Sequence, residues 1–307
     1  MKSFRILVTH AGGPAAISVI KSLRCSKFKN DIEIIAVDAD PTAAGLFLAD
    51  QQNTLPYSTQ ETQWLESLFK LINQYNINVI FQTGDSDVTL FSKFQKQIRE
   101  ASVKILISSM LTIDSCQDKY AFYSLCKTEF KLPLTSLTRL DYPGKKIIKP
   151  IRGSGSRDIQ IVANSLSLIL DPGFMIQHYV DGPEYSVDVL CDESSNMIIG
   201  VARERIQTKA GISTKGRIVN NHKLLNECAR ICMHLNIIGP ACIQLKQEAN
   251  DYFFLEINPR FGGGLFFSTL AGVNIPEMML EYFFKNSITI NQPQEITVVR
   301  YFNEIVI

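Results

Sequence analysis

Gln244, Glu256, Asn258 and Arg260 fall in two neighbouring apolar runs, ACIQLK and YFFLEINPR. Glu256 and Asn258 are two apart, so both project from one face of an extended strand, and Arg260 continues that row if the strand runs through Pro259. A glutamine, a carboxylate and an amide on one surface are hard oxygen donors, a set that suits Mg2+ shared with phosphate oxygens. The bland alternative is a solvated strand face, which Phe253, Phe254, Leu255 and Ile257 around the row disfavour. A second group is Lys149-Pro150-Ile151-Arg152-Gly153-Ser154-Gly155-Ser156. A lysine at a strand end followed by small residues lets backbone N–H groups approach phosphate oxygens while the ammonium neutralises charge. The Gly-Lys-Ser/Thr ending of a P-loop is missing, so that class is excluded; taken alone, the same loop also reads as a hairpin. Thr83-Gly84-Asp85-Ser86-Asp87 follows a strand at the carboxyl edge of a sheet, where its acids either hold an amino or hydroxyl group or cap a helix. Gly12 and Gly13 after the first strand, with Asp38 ending the next, resemble a dinucleotide turn only poorly, because Pro14-Ala15-Ala16 stand where the later glycine belongs.

These residues need elements to hold them. FRILVT (residues 4–9), EIIAVD (33–38), VIFQT (79–83) and KILIS (104–108) are short continuous apolar runs, and residues 64–75 repeat apolar side chains at helical spacing. Continuous runs separated by helices predict an open parallel α/β domain covered on both faces. From about residue 112 the pattern changes. Residues 115–130 read as one helix carrying Lys119, and the text from Lys146 onward is strand-rich: KIIKP, DIQIV, FMIQHYV, EYSVDVLC and MIIGVARE. An amphipathic helix over 223–235, the two strands with the oxygen row, two helices (265–270 and 276–284) and a last strand (296–302) complete an antiparallel α+β unit.

Composition limits what the chain can do. Its 307 residues suggest about two domains. With 46% hydrophobic and 20% charged residues it is globular rather than disordered. Lys+Arg 31 against Asp+Glu 30 gives +1, which argues against a bulk nucleic-acid partner or an anionic membrane surface. The seven cysteines are scattered and form no Cys-x-x-Cys pair, so they read as reduced core residues, and the four histidines are dispersed. The apolar run at residues 6–8 is too short for a signal-peptide core, and a cytoplasmic location is expected.

Lys119 in a helix, Lys149-Pro150 with its Gly/Ser loop, Gln177-x-Tyr179-Val180-x-Gly182-x-Glu184, and Gln244 followed by Glu256-x-Asn258-Pro259-Arg260 occur in the order of the ATP-grasp superfamily. Glutamine at 244 and the wording EINPRFGGG resemble the ATP-grasp halves of the carbamoyl-phosphate synthetase large subunit, above all short stand-alone bacterial relatives. The resemblance covers essentially the whole chain. It implies an ATP-grasp fold preceded by an open parallel α/β pre-ATP-grasp domain: residues 1–112, then 113–307, with a small lid subdomain over about 113–182 and a larger one over about 183–307.

It also implies roles. Lys119 and Lys149 would contact the α- and β-phosphates of ATP, and Gly153, Ser154, Gly155 and Ser156 would fold over the triphosphate. Gln177, with the backbone of His178, Tyr179 and Val180, would read the adenine, and Glu184 the ribose. Gln244, Glu256 and Asn258 would hold Mg2+ (or Mn2+), and Arg260 would stabilise the transferred phosphoryl group. The implied activity joins a small-molecule carboxylate to an amine through an acyl-phosphate. A carboxyphosphate-forming or kinase-like reaction, or a non-catalytic ATP-binding regulatory module, are its rivals, and a homodimer is common in the superfamily. The family's histidine after Gly-Ile is replaced here by Ser213, in Ala210-Gly211-Ile212-Ser213-Thr214-Lys215. Lys215, with Arg203, Arg205 and Lys209, is expected either to grip phosphates or a substrate carboxylate from this 205–217 loop or to form a solvated basic loop.

Overall fold

The computed structural model describes residues 2–153, 155, 157–163, 170–285 and 287–307. Ser154 and Ser156 of the Gly/Ser loop lie outside the described residues.

The first sheet contains β1 (Phe4–Val8), β2 (Ile32–Asp38), β3 (Gln51–Thr54) and β4 (Val79–Phe81), all parallel, in the order β3-β2-β1-β4. Both faces are buried. Ile6 and Val8 pack into a core shared with Phe261 and Leu265, while Leu7 between them joins Trp64 and Leu68. Continuous apolar runs follow from that double burial. The helices of this part are α1 (Pro14–Arg24), α2 (Glu61–Tyr75), α3 (Val88–Lys93) and α4 (Gln95–Glu100).

Two details depart from the sequence expectation. Residues 104–108 make only one parallel bridge, Lys104 to Val79, instead of a strand. Side chains take the carbonyls a ladder would use: Gln82 Nε2 donates to Leu106 O (3.0 Å) and Ser92 Oγ to Ser108 O (2.8 Å). The fourth strand is instead β3, whose sequence QQNT alternates half-buried and exposed at the sheet edge.

After the first sheet come α5 (Met110–Gln117) and α6 (Lys119–Cys126), where a single helix was expected. Asp118 breaks them apart: its backbone is extended and its carboxylate accepts from the N–H groups of Tyr120 and Ala121. An aspartate N-cap thus starts a new helix with Lys119 as its first residue. The second sheet holds β5 (Thr135–Ser136), β6 (Lys146–Pro150), β7 (Gln160–Val162) and β8 (Phe174–His178), antiparallel in the order β5-β8-β6-β7.

The third sheet runs β13-β12-β9-β10-β11-β14, antiparallel throughout. Its strands are β9 (Glu184–Cys191), β10 (Met197–Lys209), β11 (Ile212–Val219), β12 (Gly239–Glu248), β13 (Asp251–Asn258) and β14 (Thr297–Val299). Helix α7 (His222–His234) buries Leu224, Cys228, Ile231 and Cys232 against Val187 and Val189 of β9, so these cysteines are core residues, and burial raises the Cys228 thiol. All seven cysteines are free. Helices α8 (Leu265–Leu270) and α9 (Ile275–Phe284) return to the first sheet. Residues 179–183 join the second and third sheets, and they pass close to β12: a Cβ at Gly182 would lie 1.9 Å from the Gln247 carbonyl oxygen, so only glycine fits. Among the described residues no helix is long and apolar enough to cross a membrane.

Candidate functional site

A cleft of about 680 Å³ lies between the second and third sheets. Lys149 at the end of β6 and Lys119 at the start of α6 enter it from one side, and Glu184, Gln244 and Glu256 from the other. Gly153, Gly155, Gln177, His178, Tyr179, Val180 and Arg205 line it as well. Twelve of the residues singled out from sequence therefore meet in one space, from segments more than a hundred residues apart. Lys215 does not line this cleft; it sits in β11 beside Val299 of β14. Asn258 and Arg260 lie just behind it, next to Glu256.

Register explains the oxygen row. Gln244 and Glu256 are direct partners across the β12–β13 pair, and Asn258 opposes Cys242, so all three face the same way. A bulge at Leu255 lies just beyond this row, and Leu255 itself joins the cleft wall with Ile147 and Phe174. Those apolar walls were not anticipated from sequence. Neither was Lys246, two residues beyond Gln244 on the same face. It donates to the Val180 carbonyl (3.0 Å) and lies 4.5 Å from the centre of the Tyr179 ring, pinning the segment between the sheets. Alternation along β12 carried that signal.

Opposite charges in the cleft hold one another. Lys119 Nζ donates to Gly153 O (2.7 Å) and lies 3.7 Å from Glu256 Oε2. Arg205 donates to Glu184, to Gln244 Oε1 (2.8 Å) and to Gly211 O (2.6 Å). Lys149 is 7% exposed, and burial lowers its pKa to about 8, with Glu256 opposing the shift and Lys119 adding to it. Gln177 donates its amide to Thr135 Oγ1 (2.9 Å), tying β8 to β5, and His178 stacks on Tyr142 with its pKa lowered by burial.

Arg203, expected among the gripping cations, is a core residue instead. It is 1% exposed and paired with Asp188 at 2.7 Å, and it donates to Gly264 O. Lys209 rests over the Phe302 ring at 5.6 Å. Arg205 and the Gly211 turn are what the 205–217 hairpin brings to the cleft, with Thr208.

The donor set can be tested for a metal. Among the described residues no group of three or more His, Cys, Asp or Glu is placed to hold one. Gln244, Glu256 and Asn258 offer three hard oxygens but a single carboxylate. That fits a cation such as Mg2+, which keeps waters and takes its remaining ligands from phosphates.

Arg260 makes a contact that sequence reasoning missed. Its Nε and Nη2 donate to Asp85 Oδ1 (2.6 Å) and Oδ2 (2.7 Å), a bidentate pair across 175 residues of sequence. Burial works against the guanidinium, yet Asp85 raises its pKa. Gln117 fixes the Asp85 backbone through its carbonyl (2.9 Å). Asp38, the would-be ribose ligand of a dinucleotide site, accepts from the N–H groups of Gly12 and Asp40 and so staples its own loop.

Comparisons with known proteins agree with this architecture. Residues 171–305 match the family described as "ATP-grasp in the biosynthetic pathway with Ter operon", and residues 6–106 match "PylC-like, N-terminal domain". The carbamoyl phosphate synthase large chain of Clostridium acetobutylicum is 26% identical across 73% of this chain, which spans about a quarter (24%) of that protein. Among solved structures, the L-amino acid ligase of Bacillus licheniformis superposes with a TM-score of 0.72 at 13% identity, over 97% of this chain and 80% of that one. The biotin carboxylase domain dimer of Hydrogenobacter thermophilus 2-oxoglutarate carboxylase, bound to MgADP, ADP and bicarbonate, gives 0.65 at 14% identity, over 94% and 71%. With its parallel first sheet, its cleft between two antiparallel sheets and both family matches, this chain has an ATP-grasp fold preceded by an open parallel α/β domain and resembles the carbamoyl-phosphate synthetase large chain.

Proposed function

We propose that the protein is an ATP-dependent ligase that activates a small-molecule carboxylate as an acyl-phosphate and joins it to an amine. Residues 1–112 would form the pre-ATP-grasp domain and 113–307 the ATP-grasp domain, divided near 182. The observation that carries this reading is the convergence of Lys119 and Lys149 opposite the Gln244–Glu256 pair in one cleft. The MgADP bound in the Hydrogenobacter structure supports the choice of nucleotide and metal.

The chemistry asks little of the protein beyond position and charge. A substrate carboxylate oxygen attacks the γ-phosphorus, and the bond from that phosphorus to the ADP oxygen breaks. The amine nitrogen then attacks the acyl carbon, the C–O bond to phosphate breaks, and the amine loses a proton. Lys149 and Lys119 would neutralise the phosphate oxygens from the lid side, with Gly153 and Gly155 beside them. Residues 177–180 would seat the base against Ile147, Phe174 and Leu255, and Glu184 would take the ribose hydroxyls once Arg205 lets go. Gln244, Glu256 and Asn258 would hold Mg2+, which supplies further charge neutralisation. Arg260, held flat by Asp85, would face the phosphoryl group in transfer.

The direct test is ADP release over a matrix of carboxylates and amines. A carboxylate-dependent, amine-stimulated signal is expected; ADP release that ignores the amine would favour a kinase-like or carboxyphosphate-forming reaction. In Glu256→Ala nucleotide binding stays measurable, while ADP formation drops by about 10²-fold or more, as for a lost electrostatic contact to the transition state. Unchanged turnover in this variant would remove the metal assignment.

A further inference from the structure

The first sheet has a switch point of its own, whose loops contribute no residue to the nucleotide cleft. In the order β3-β2-β1-β4 the chain leaves β1 toward β2 on one side, whereas β4 lies on the other. The loops after β1 (residues 9–13) and β4 (residues 82–87) leave the sheet side by side there, with the Thr83 N–H and hydroxyl donating to the Thr9 hydroxyl and carbonyl, and open parallel sheets bind ligands at such switch points. These loops carry His10, Asp85 and Asp87.

Asp87 is the informative residue. It occupies the N-cap position of α3 yet makes no side-chain capping bond, so the helix-cap explanation fails. It is 6% exposed, and its Oδ1 has no hydrogen-bond partner. A carboxylate oxygen buried without a partner is costly. Burial raises the pKa to about 6, with the Thr9 hydroxyl and the charge of His10 opposing the rise and Asp85 adding to it. Gly84 separates the two key side chains: a Cβ there would lie 2.8 Å from Asp87 Oδ1 and 2.8 Å from His10 Cγ. His10 is exposed and held at φ 52°, a conformation that is uncommon for a residue with a side chain. Asp85, two residues from Asp87, carries the bidentate contact to Arg260, so this junction borders the group proposed above to face the phosphoryl transfer.

We propose that the junction of residues 9–13 and 82–87 is the subsite for the ammonium group of an amine-bearing substrate, with Asp87 as its counter-ion and His10 as the side chain that swings aside to admit it. This rests on the ligase reading for what happens next, but not for the binding itself. A protonated amine supplies the donor and the charge that Asp87 Oδ1 lacks. The ammonium belongs either to the incoming nucleophile or to an amino acid whose carboxylate is activated; the chemistry of capture is the same.

The test is calorimetric binding to the full-length protein of two sets, α-amino acids and primary amines without a carboxylate, each beside its N-acetyl form. It is run with and without Mg2+ and a non-hydrolysable ATP analogue. At least one ammonium-bearing member binds about tenfold or more tighter than its N-acetyl form, as a charge-assisted contact requires, and the set it comes from identifies the source. Asp87→Asn removes that preference and leaves the affinity for the ATP analogue within about twofold. Affinity for the amine falls as pH drops below about 6. Asp87→Asn is also expected to melt higher than wild type at about pH 8, because it removes a buried charge; a lower melting temperature marks Asp87 as structural and overturns the proposal. His10→Gly, suited to the positive φ, keeps the preference for the free amine; its loss there overturns the role of His10 as a cover. No preference for free amines anywhere in the panel, or a preference that survives Asp87→Asn, overturns the subsite. Failure to bind the ATP analogue removes the ligase reading instead, and leaves the nucleotide-free arm to decide this one.

Discussion

At the scale of residues, Lys149 ties burial to pH. Its pKa is lowered to about 8, first by burial, while Glu256 opposes the shift and Lys119 adds to it. A depressed lysine means that the unfolded chain binds more protons between about pH 8 and its ordinary value near 10.5, so stability rises with pH in that window. Phosphate binding needs the opposite, the charged form. Nucleotide affinity is therefore expected to weaken above about pH 8, approaching tenfold per pH unit. Titration calorimetry between pH 7 and pH 10 checks it, and Lys149→Arg flattens the profile because a guanidinium stays charged. A wild-type affinity constant over that range would place the phosphates away from Lys149. Arg203 and Arg205 teach the complementary lesson. Two apart on β10, they share a face by alternation, and the sequence offers no means of separating them. Yet β10 is buried at its centre and open toward its end, so Arg203 meets Asp188 in the core while Arg205 reaches the cleft.

Elements were legible where a local pattern decided them. The apolar strand β1, the alternating strands of the oxygen row and helix α8 lie within a residue or two of their predicted bounds. What escaped was set by partners distant in sequence. QQNT becomes β3 because β2 offers it an edge, and residues 104–108 lose their ladder to the side chains of Gln82 and Ser92. The break at Asp118 was visible in principle, since aspartate is a good N-cap, but an apolar run on both sides masked it. That cap sets the position of Lys119, and Arg152 lies 3.3 Å from the same carboxylate. Asp118→Ala is expected to cost about 1 kcal/mol of stability and to weaken nucleotide binding severalfold by loosening the first turn of α6. Chemical denaturation alongside nucleotide titration reads both; lost stability with unchanged affinity would show that Lys119 finds its place without the cap.

At the scale of the whole molecule, the motifs named the cleft, but the link between its two ends had no sequence signature. Asp85 stood out only as one acid of a loop, and Arg260 as the end of a row; their bidentate pair joins the first sheet to the end of β13. A planar fork bound at both nitrogens is fixed in orientation as well as position. The cation proposed to face the phosphoryl group would therefore be set from the part of the chain proposed to carry the substrates, and the geometry of transfer would depend on how residues 1–112 sit against the rest. Asp85→Asn keeps an acceptor but gives up the bidentate charge pair. Because Arg260 does not line the nucleotide cleft, this change is expected to lower kcat by about 10- to 100-fold, as misplacement near the reacting atoms does, while the KM for ATP stays within about twofold. Asp85→Glu should restore part of the loss. A raised KM for ATP with kcat intact would instead make Arg260 a ground-state nucleotide contact, and the orienting role of Asp85 would fall with it.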